Sequence, residues 1–297
     1  MRYTLLLLIL IAVILLAAGI QIPAARSQET SAVFRADVRL VEIHATITDR
    51  KGRFVSGLQP DQFEIRDNGE VQPIALFEPV SSGVKCAILL DCTGSMENVM
   101  PSLKAAVLSL IDAFRENDWF AVYTFNTTVR RISALSQEKT AAKRAVLGTM
   151  AYGATALFDS LDAVLTDLMI EKGKKAVIVF TDGQDNSSYL YSSAVVQRTR
   201  SLGIPIYAIA QGEALKDPGL LKLLATIGVS TGGQAYQVRK SSDFDSVFAM
   251  ITDNLRQGYM LGYVAPPATD PRWRTIQLAV KGVNRLRIHA REGYFPK

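Results

Sequence analysis

Three textures of hydrophobic and polar positions follow one another behind an apolar leader. Residues 33–80 alternate with period two: Val41, Ile43, Ala45 and Ile47 fall on one face of a strand, and Glu42, His44, Thr46 and Thr48 on the other. Turn signals break this segment at Asp49-Arg50-Lys51-Gly52 and at Asp67-Asn68-Gly69, the latter a strong hairpin cue. Residues 84–257 instead alternate short apolar runs with helix-period stretches. The runs predict strands at 84–90, 119–125, 176–181, 204–210 and 234–238. Those at 84–90 and 176–181 are almost continuously apolar, as expected of strands buried on both faces. Between them the pattern predicts helices at 101–114, 139–147, 157–170, 193–201, 219–227 and 243–255. Leu157, Leu161, Val164, Leu165 and Leu168 keep the stripe of a helix lying on a sheet, and Pro101 is expected at the first helical position. From residue 258 the β texture returns, with strands predicted at 259–263, 275–280 and 285–294.

Strand–helix alternation of this kind predicts a doubly wound, mostly parallel α/β sheet flanked by helices, of Rossmann-like architecture. The two β segments, 33–80 and 258–297, flank that domain. Each holds too few strands to bury a core by itself. They are therefore expected to pair into one discontinuous small β domain around an α/β domain at 84–257.

The leader itself carries information. Arg2 precedes an unbroken apolar run from residue 5 to residue 20, and small residues follow at Ala25 and Ser27. Residues 1–27 therefore read as a signal peptide cut near Ser27 and Gln28, with an uncleaved anchor as the alternative; the protein is expected to be exported. No cysteine precedes Cys86, so a lipid-modified cysteine at the end of the leader is excluded. The formal charge of +5 includes Arg2 and Arg26 of that leader, and what remains is too mild and dispersed to argue for nucleic acid. Cys86 and Cys92, read on one strand, would stand roughly 20 Å apart, too far for a disulfide. With only His44 and His289 besides, a thiolate–imidazole zinc site lacks material.

The stretch Asp91-Cys92-Thr93-Gly94-Ser95-Met96 directly follows an apolar strand, and Asp182 ends another in the stretch "FTDGQDNSS" at 180–188. Ligands of open α/β sheets bind outside the carboxyl ends of the strands. Folding brings Asp91, Thr93, Ser95, Thr155 and Asp182 to that edge: two carboxylates and three hydroxyls, with no nitrogen or sulfur. Such a set suits a hard cation, Mg2+ above all, with Mn2+ and Ca2+ as alternatives. Gly94 is expected to let the backbone turn so that both hydroxyls reach the ion. Singly, each residue also fits an ordinary role: an Asx turn at Asp91, a helix cap at Thr155, a turn at Asp182-Gly183.

Together they resemble the metal-ion-dependent adhesion site (MIDAS) of the von Willebrand factor A (VWA) domain, whose pattern is D-x-S-x-S, then a distant Thr, then Asp. Supporting stretches are "TALFDSL" at 155–161, "VFTDG" at 179–183 and "STGGQAY" at 230–236. The flanks, with "VSGLQPDQFEIRDNGEVQPI" at 55–74 and "REGYF" at 291–295, are similar to a secreted bacterial group called acidobacterial VWFA-related proteins. The resemblance implies a protein-binding or adhesion module whose ion receives an Asp or Glu from a partner protein. The membrane would be involved only through an uncleaved leader. Thr93 departs from the family's serine: it keeps the oxygen and adds a methyl. Two other readings stand beside this one. Asp-x-Thr-Gly-Ser also resembles the nucleophile motif of Mg2+-dependent aspartyl-phosphate phosphatases, but these need a nearby lysine, and Lys172, Lys174 and Lys175 all precede the strand that ends at Asp182. The other is a scaffold with an idle metal site.

Overall fold

The computed structural model describes residues 39–78, 83–267, 270–283 and 285–296. The leader read at 1–27 lies outside them. Among the described residues no helix is long and apolar enough to cross a membrane.

The first strands are β1 (Leu40–Thr48), β2 (Phe63–Asp67), β3 (Glu70–Gln72) and β4 (Leu76–Glu78). The α/β region then runs β5 (Val84–Asp91), α1 (Met100–Ala113), β6 (Trp119–Phe125), β7 (Val129–Ser136), α2 (Lys139–Leu147) and α3 (Leu157–Met169). It continues with β8 (Lys174–Thr181), α4 (Ser192–Leu202), β9 (Ile206–Ala210), α5 (Pro218–Thr231), β10 (Gln234–Gln237) and α6 (Asp243–Gln257). The chain closes with β11 (Tyr259–Val264), β12 (Arg274–Val280), β13 (Arg287–Ala290) and β14 (Gly293–Tyr294).

The central sheet has the order β10-β9-β8-β5-β6-β7, all parallel except the edge pair β6–β7. Strand alternation divides its side chains between two cores. Cys86, Ile88, Leu90, Ile178 and Phe180 face α1 and α6. Ala87, Leu89, Val177 and Val179 face α3, α4 and α5. Helices thus cover both faces, the arrangement that continuous apolar strands require, and each large side chain so buried contributes about 1.5–3 kcal/mol. Strand β7 was not foreseen. Its sequence, VRRISALS, shows no clean alternation because it lies at the edge, half-exposed, and its pairing with β6 slips in register at Phe120, Val122 and Tyr123.

The flanking strands pair across the chain. One four-stranded sheet has the order β13-β1-β11-β4 and the other β14-β12-β2-β3, so each mixes strands from before and after the α/β region. Their apolar residues, among them Ile43, Phe63, Ile65, Tyr259, Leu261 and Tyr294, form a single core. The hairpin cue at residues 67–69 is the β2–β3 turn, with Asn68 and Gly69 at φ 50° and 86°, the left-handed pair a two-residue hairpin needs. Next to it Asp67, fully buried, accepts hydrogen bonds from Tyr263 Oη (2.9 Å), Tyr294 Oη (2.8 Å) and Arg274 Nε (2.7 Å).

Several expectations are corrected. The strand expected at 285–294 breaks into β13 and β14 because Arg291 leaves the ladder and turns its side chain toward α4 (2.7 Å from Nη2 to the Ser201 carbonyl). Pro101 is the second residue of α1, not the first. Cys92 lies just beyond β5, and both cysteines are free and buried.

Candidate metal centre

Strands β5 and β8 are neighbours and parallel, so their carboxyl ends deliver Asp91 and Asp182 to the same edge. Asp91 is fully buried and Asp182 is 2% exposed. Asp91 Oδ1 accepts from the Thr93 N–H at 3.0 Å, and Oδ2 from Thr181 Oγ1 at 2.9 Å. Thr93 Oγ1 and Ser95 Oγ are 3.0 Å apart, and Ser95 Oγ donates to Asp182 Oδ1 at 2.9 Å. Four of the five expected residues are therefore joined by one chain of hydrogen bonds. Thr155 completes the group. A Cβ placed on Gly183 would stand 4.0 Å from both Ser95 Oγ and Thr155 Oγ1, so these hydroxyls flank the same glycine.

The backbone that holds them is tied down locally. Residues Gly94–Met96 form a single 3-10 turn, with Thr93 as its extended N-cap, and the Gly94 N–H donates to the Gly153 carbonyl (3.1 Å). The expected role of Gly94 is corrected here: its φ is not left-handed, and a Cβ would meet the Gly153 carbonyl oxygen at an ordinary 3.7 Å. The demanding glycine is Gly212, at φ 56°, where a Cβ would lie 3.3 Å from that of Asp182. Thr155 does not cap α3, whose N-cap is Ala156.

In the stretch at 180–188 the pattern singles out Asp182 alone. The rest positions Thr155: Asn186 Oδ1 accepts from the Thr155 N–H (2.8 Å), and the N–H groups of Asn186 and Ser187 donate to the Thr155 carbonyl (2.9 and 3.0 Å). Asp185 Oδ2 accepts from the Phe158 N–H at 2.9 Å, capping the start of α3 from a distance. Thr181, the last residue of β8, is a further functional neighbour that the pattern does not single out. The signal was present, since polar residues packed this densely after a buried strand need partners.

Burial pushes the Asp91 carboxyl up to about 6; hydrogen bonds from Thr93 and Thr181 oppose this, and Asp182 adds to it. Burial likewise pushes Asp182 up, against its hydrogen bond from Ser95. No lysine or arginine is among the groups acting on either carboxyl. Two buried acids side by side, with hydroxyl oxygens converging and no counter-charge from the protein, fit a divalent cation: the donors are all hard oxygens and the missing quantity is positive charge. Among the described residues no cluster of three or more His, Cys, Asp or Glu is placed to hold a metal. His44 and His289 come onto neighbouring strands, with His289 opposite Thr46.

A six-stranded, mostly parallel sheet sandwiched by helices, with this constellation at its carboxyl edge, defines the class. The family model of the von Willebrand factor type A domain matches residues 86–250. The chain belongs to that family. It is similar in structure to a von Willebrand factor type A protein from Catenulispora acidiphila, at 17% identity and a TM-score of 0.52, covering 87% of this chain and 74% of that one. It is also similar to proximal thread matrix protein 1 of the mussel byssus in a form with a zinc-occupied MIDAS motif, at 23% identity and a TM-score of 0.50, covering 64% of this chain and 49% of that one. A search of curated proteins gives no match.

Proposed function

We propose that the protein is an exported, metal-dependent protein-binding module in which Asp91, Thr93, Ser95, Thr155 and Asp182 hold a divalent cation, Mg2+ in preference to Mn2+ or Ca2+, that receives an Asp or Glu from a partner. One observation carries this reading: two buried carboxylates are bonded into a cluster of hydroxyls with no protein cation beside them. A bound dication would neutralise both acids and present an open position to an outside oxygen. The chain's own residues prepare the place. Thr181 and the Thr93 N–H fix the two oxygens of Asp91, Ser95 holds Asp182, and the Asn186–Ser187 loop holds Thr155. A carboxylate held at a desolvated ion anchors an interface well, because charge-assisted contacts away from water are strong. The byssus protein, of the same fold, carries zinc in its MIDAS motif, which supports a divalent ion at this constellation.

Phosphoryl transfer through Asp91 fits less well. Lys174 and Lys175, at the amino end of β8, are committed there: Lys174 Nζ donates to the Gly258 carbonyl (2.6 Å), and Lys175 Nζ to the Glu171 carbonyl (2.9 Å) and Glu42 (2.8 Å).

The test is a pull-down of exported proteins with and without EDTA, repeated with Asp91→Ala. A partner retained in Mg2+ and lost under both other conditions is the expected result. Equal retention in all three excludes ion-mediated recognition, and phosphate-ester hydrolysis that disappears in Asp91→Ala would establish the enzyme instead. Export is part of the same proposal: protein isolated from its host is expected to begin near Gln28 or to remain membrane-anchored by residues 1–27. An intact chain in the cytosol contradicts it.

A further inference from the structure

Beside the candidate metal centre, toward β6 and β7, lies a cleft of about 460 Å3. Arg130 and Arg131 of β7 and Arg144 of α2 line it, with Cys92 at its inner side and Met150 and Tyr152 on the loop that follows α2. No acidic side chain lines it. Arg131 is shared with Asp167 at 3.5 Å, whereas Arg130 and Arg144 are exposed and have no ion pair among the described residues.

The cleft and the metal centre share a wall. Cys92 follows Asp91 directly; its N–H donates to the Phe125 carbonyl (2.8 Å) and its carbonyl accepts from the Tyr152 N–H (2.9 Å). The loop that carries Tyr152 continues through Gly153, which accepts from Gly94, to Thr155. The arginines stand on the far side of β5 from Asp182, around β6 and β7.

We infer that the arginine cleft is the second contact for the partner, which therefore presents an acidic segment rather than one carboxylate: one acid at the ion, its neighbours at Arg130 and Arg144. This rests on the metal-dependent reading above. Guanidinium groups suit the task because they bind carboxylates in bidentate fashion and keep their charge at any working pH. Met150 and Tyr152, 73% and 55% exposed, supply the thioether and aromatic contacts that interfaces favour.

The test uses the full chain and a fluorescein-labelled oligo-glutamate peptide, read by anisotropy in Mn2+ and in EDTA, for the wild type, R130E/R144E and the remote charge reversal R272E. Binding by the wild type in Mn2+, weakened roughly tenfold or more in R130E/R144E and unchanged in R272E, is expected, with Mn2+ affinity and melting temperature unchanged in both variants. No binding to the wild type, equal binding to R130E/R144E, or an equal loss in R272E overturns the inference. Binding that survives EDTA but is lost in R130E/R144E keeps the cleft and rejects the ion as its neighbour, which separates this failure from that of the function proposed above.

Discussion

The two ends of the central sheet handle buried charge in opposite ways. At the amino end, Lys174, Lys175 and Arg291 are all buried, at 4, 6 and 5% exposure, and the protein supplies their partners itself. Arg291 donates to the carbonyls of Arg200 (3.0 Å), Ser201 (2.7 Å) and Leu202 (3.3 Å), the unsatisfied acceptors at the end of α4, and also to Glu42 and Gly293. At the carboxyl end, Asp91 and Asp182 are just as buried, and among the described residues their hydrogen-bond partners are neutral. A buried charge satisfied within the fold is architecture. A buried charge left without a counter-charge marks a place where the fold expects something from outside.

The largest effect should come from separating the flanking strands from the rest of the chain. In the described residues β1 pairs with the strands β11 and β13 and, within the N-terminal piece, through the single bridge Thr48–Phe54, and β2 reaches its second neighbour only at β12. Residues 34–79 expressed alone are expected to be unfolded, giving a collapsed amide spectrum by NMR, whereas residues 84–257 hold both helix-covered cores and are expected to fold. A well-dispersed spectrum from the short piece would show that the flanks are not one unit.

Next comes Arg291→Ala, which removes one head group from five carbonyls and the link between β14 and α4. A loss of about 3–5 kcal/mol in urea unfolding is expected, the range for stripping a partner from a buried polar network. Arg291→Lys is expected to recover little, since an ammonium cannot span the fork. Gly203, at φ 62°, packs so closely that a Cβ would stand 2.2 Å from Arg291 Cζ, which is why the guanidinium fits there at all.

Smaller, and opposite at the two ends, are the effects of pH. His44 Nε2 is buried without a hydrogen-bond partner among the described residues, and burial, with Lys175, Lys174 and Arg291 adding to it, pushes the imidazole down to about 3 from 6.5. The unfolded chain therefore takes up a proton that the folded one refuses, and stability is lost as pH falls from about 6.5 toward 3. Asp91, raised from 3.8 to about 6, does the reverse in the metal-free protein: the folded state holds the extra proton, so its contribution to stability grows as pH falls from about 6 to 3.8. His44→Gln should flatten the acid limb of the melting curve and Asp91→Asn should steepen it. The same slope in all three proteins would show that neither group titrates as its surroundings require.

The strands of the central sheet were legible because their apolar runs are unbroken, and the candidate site because Asp91, Thr93, Ser95 and Asp182 stand at or just past strand ends in short stretches with no apolar reason to exist, with Thr155 on the loop that enters α3. What could not be read depends on distant parts of the chain. Arg291 looks like any surface arginine until α4 ends against it. Asn186 has no visible duty until its loop folds back on Thr155. Strand β7 lacks a pattern because only one side of it is paired. Gly94 looked conformationally special, but the constraint sits at Gly212, which follows β9 and is far away in sequence.

Titration calorimetry of Mg2+ and Mn2+ into the wild type, Asp91→Asn and Asp182→Asn at neutral pH tests the central claim most directly. One ion per chain is expected to bind the wild type and raise its melting temperature, as binding to the folded state must. Neither variant should bind, while Asp91→Asn, relieved of a buried charge, should melt no lower than the metal-free wild type. Binding that survives in both variants, or no binding by the wild type at millimolar ion, would contradict the account.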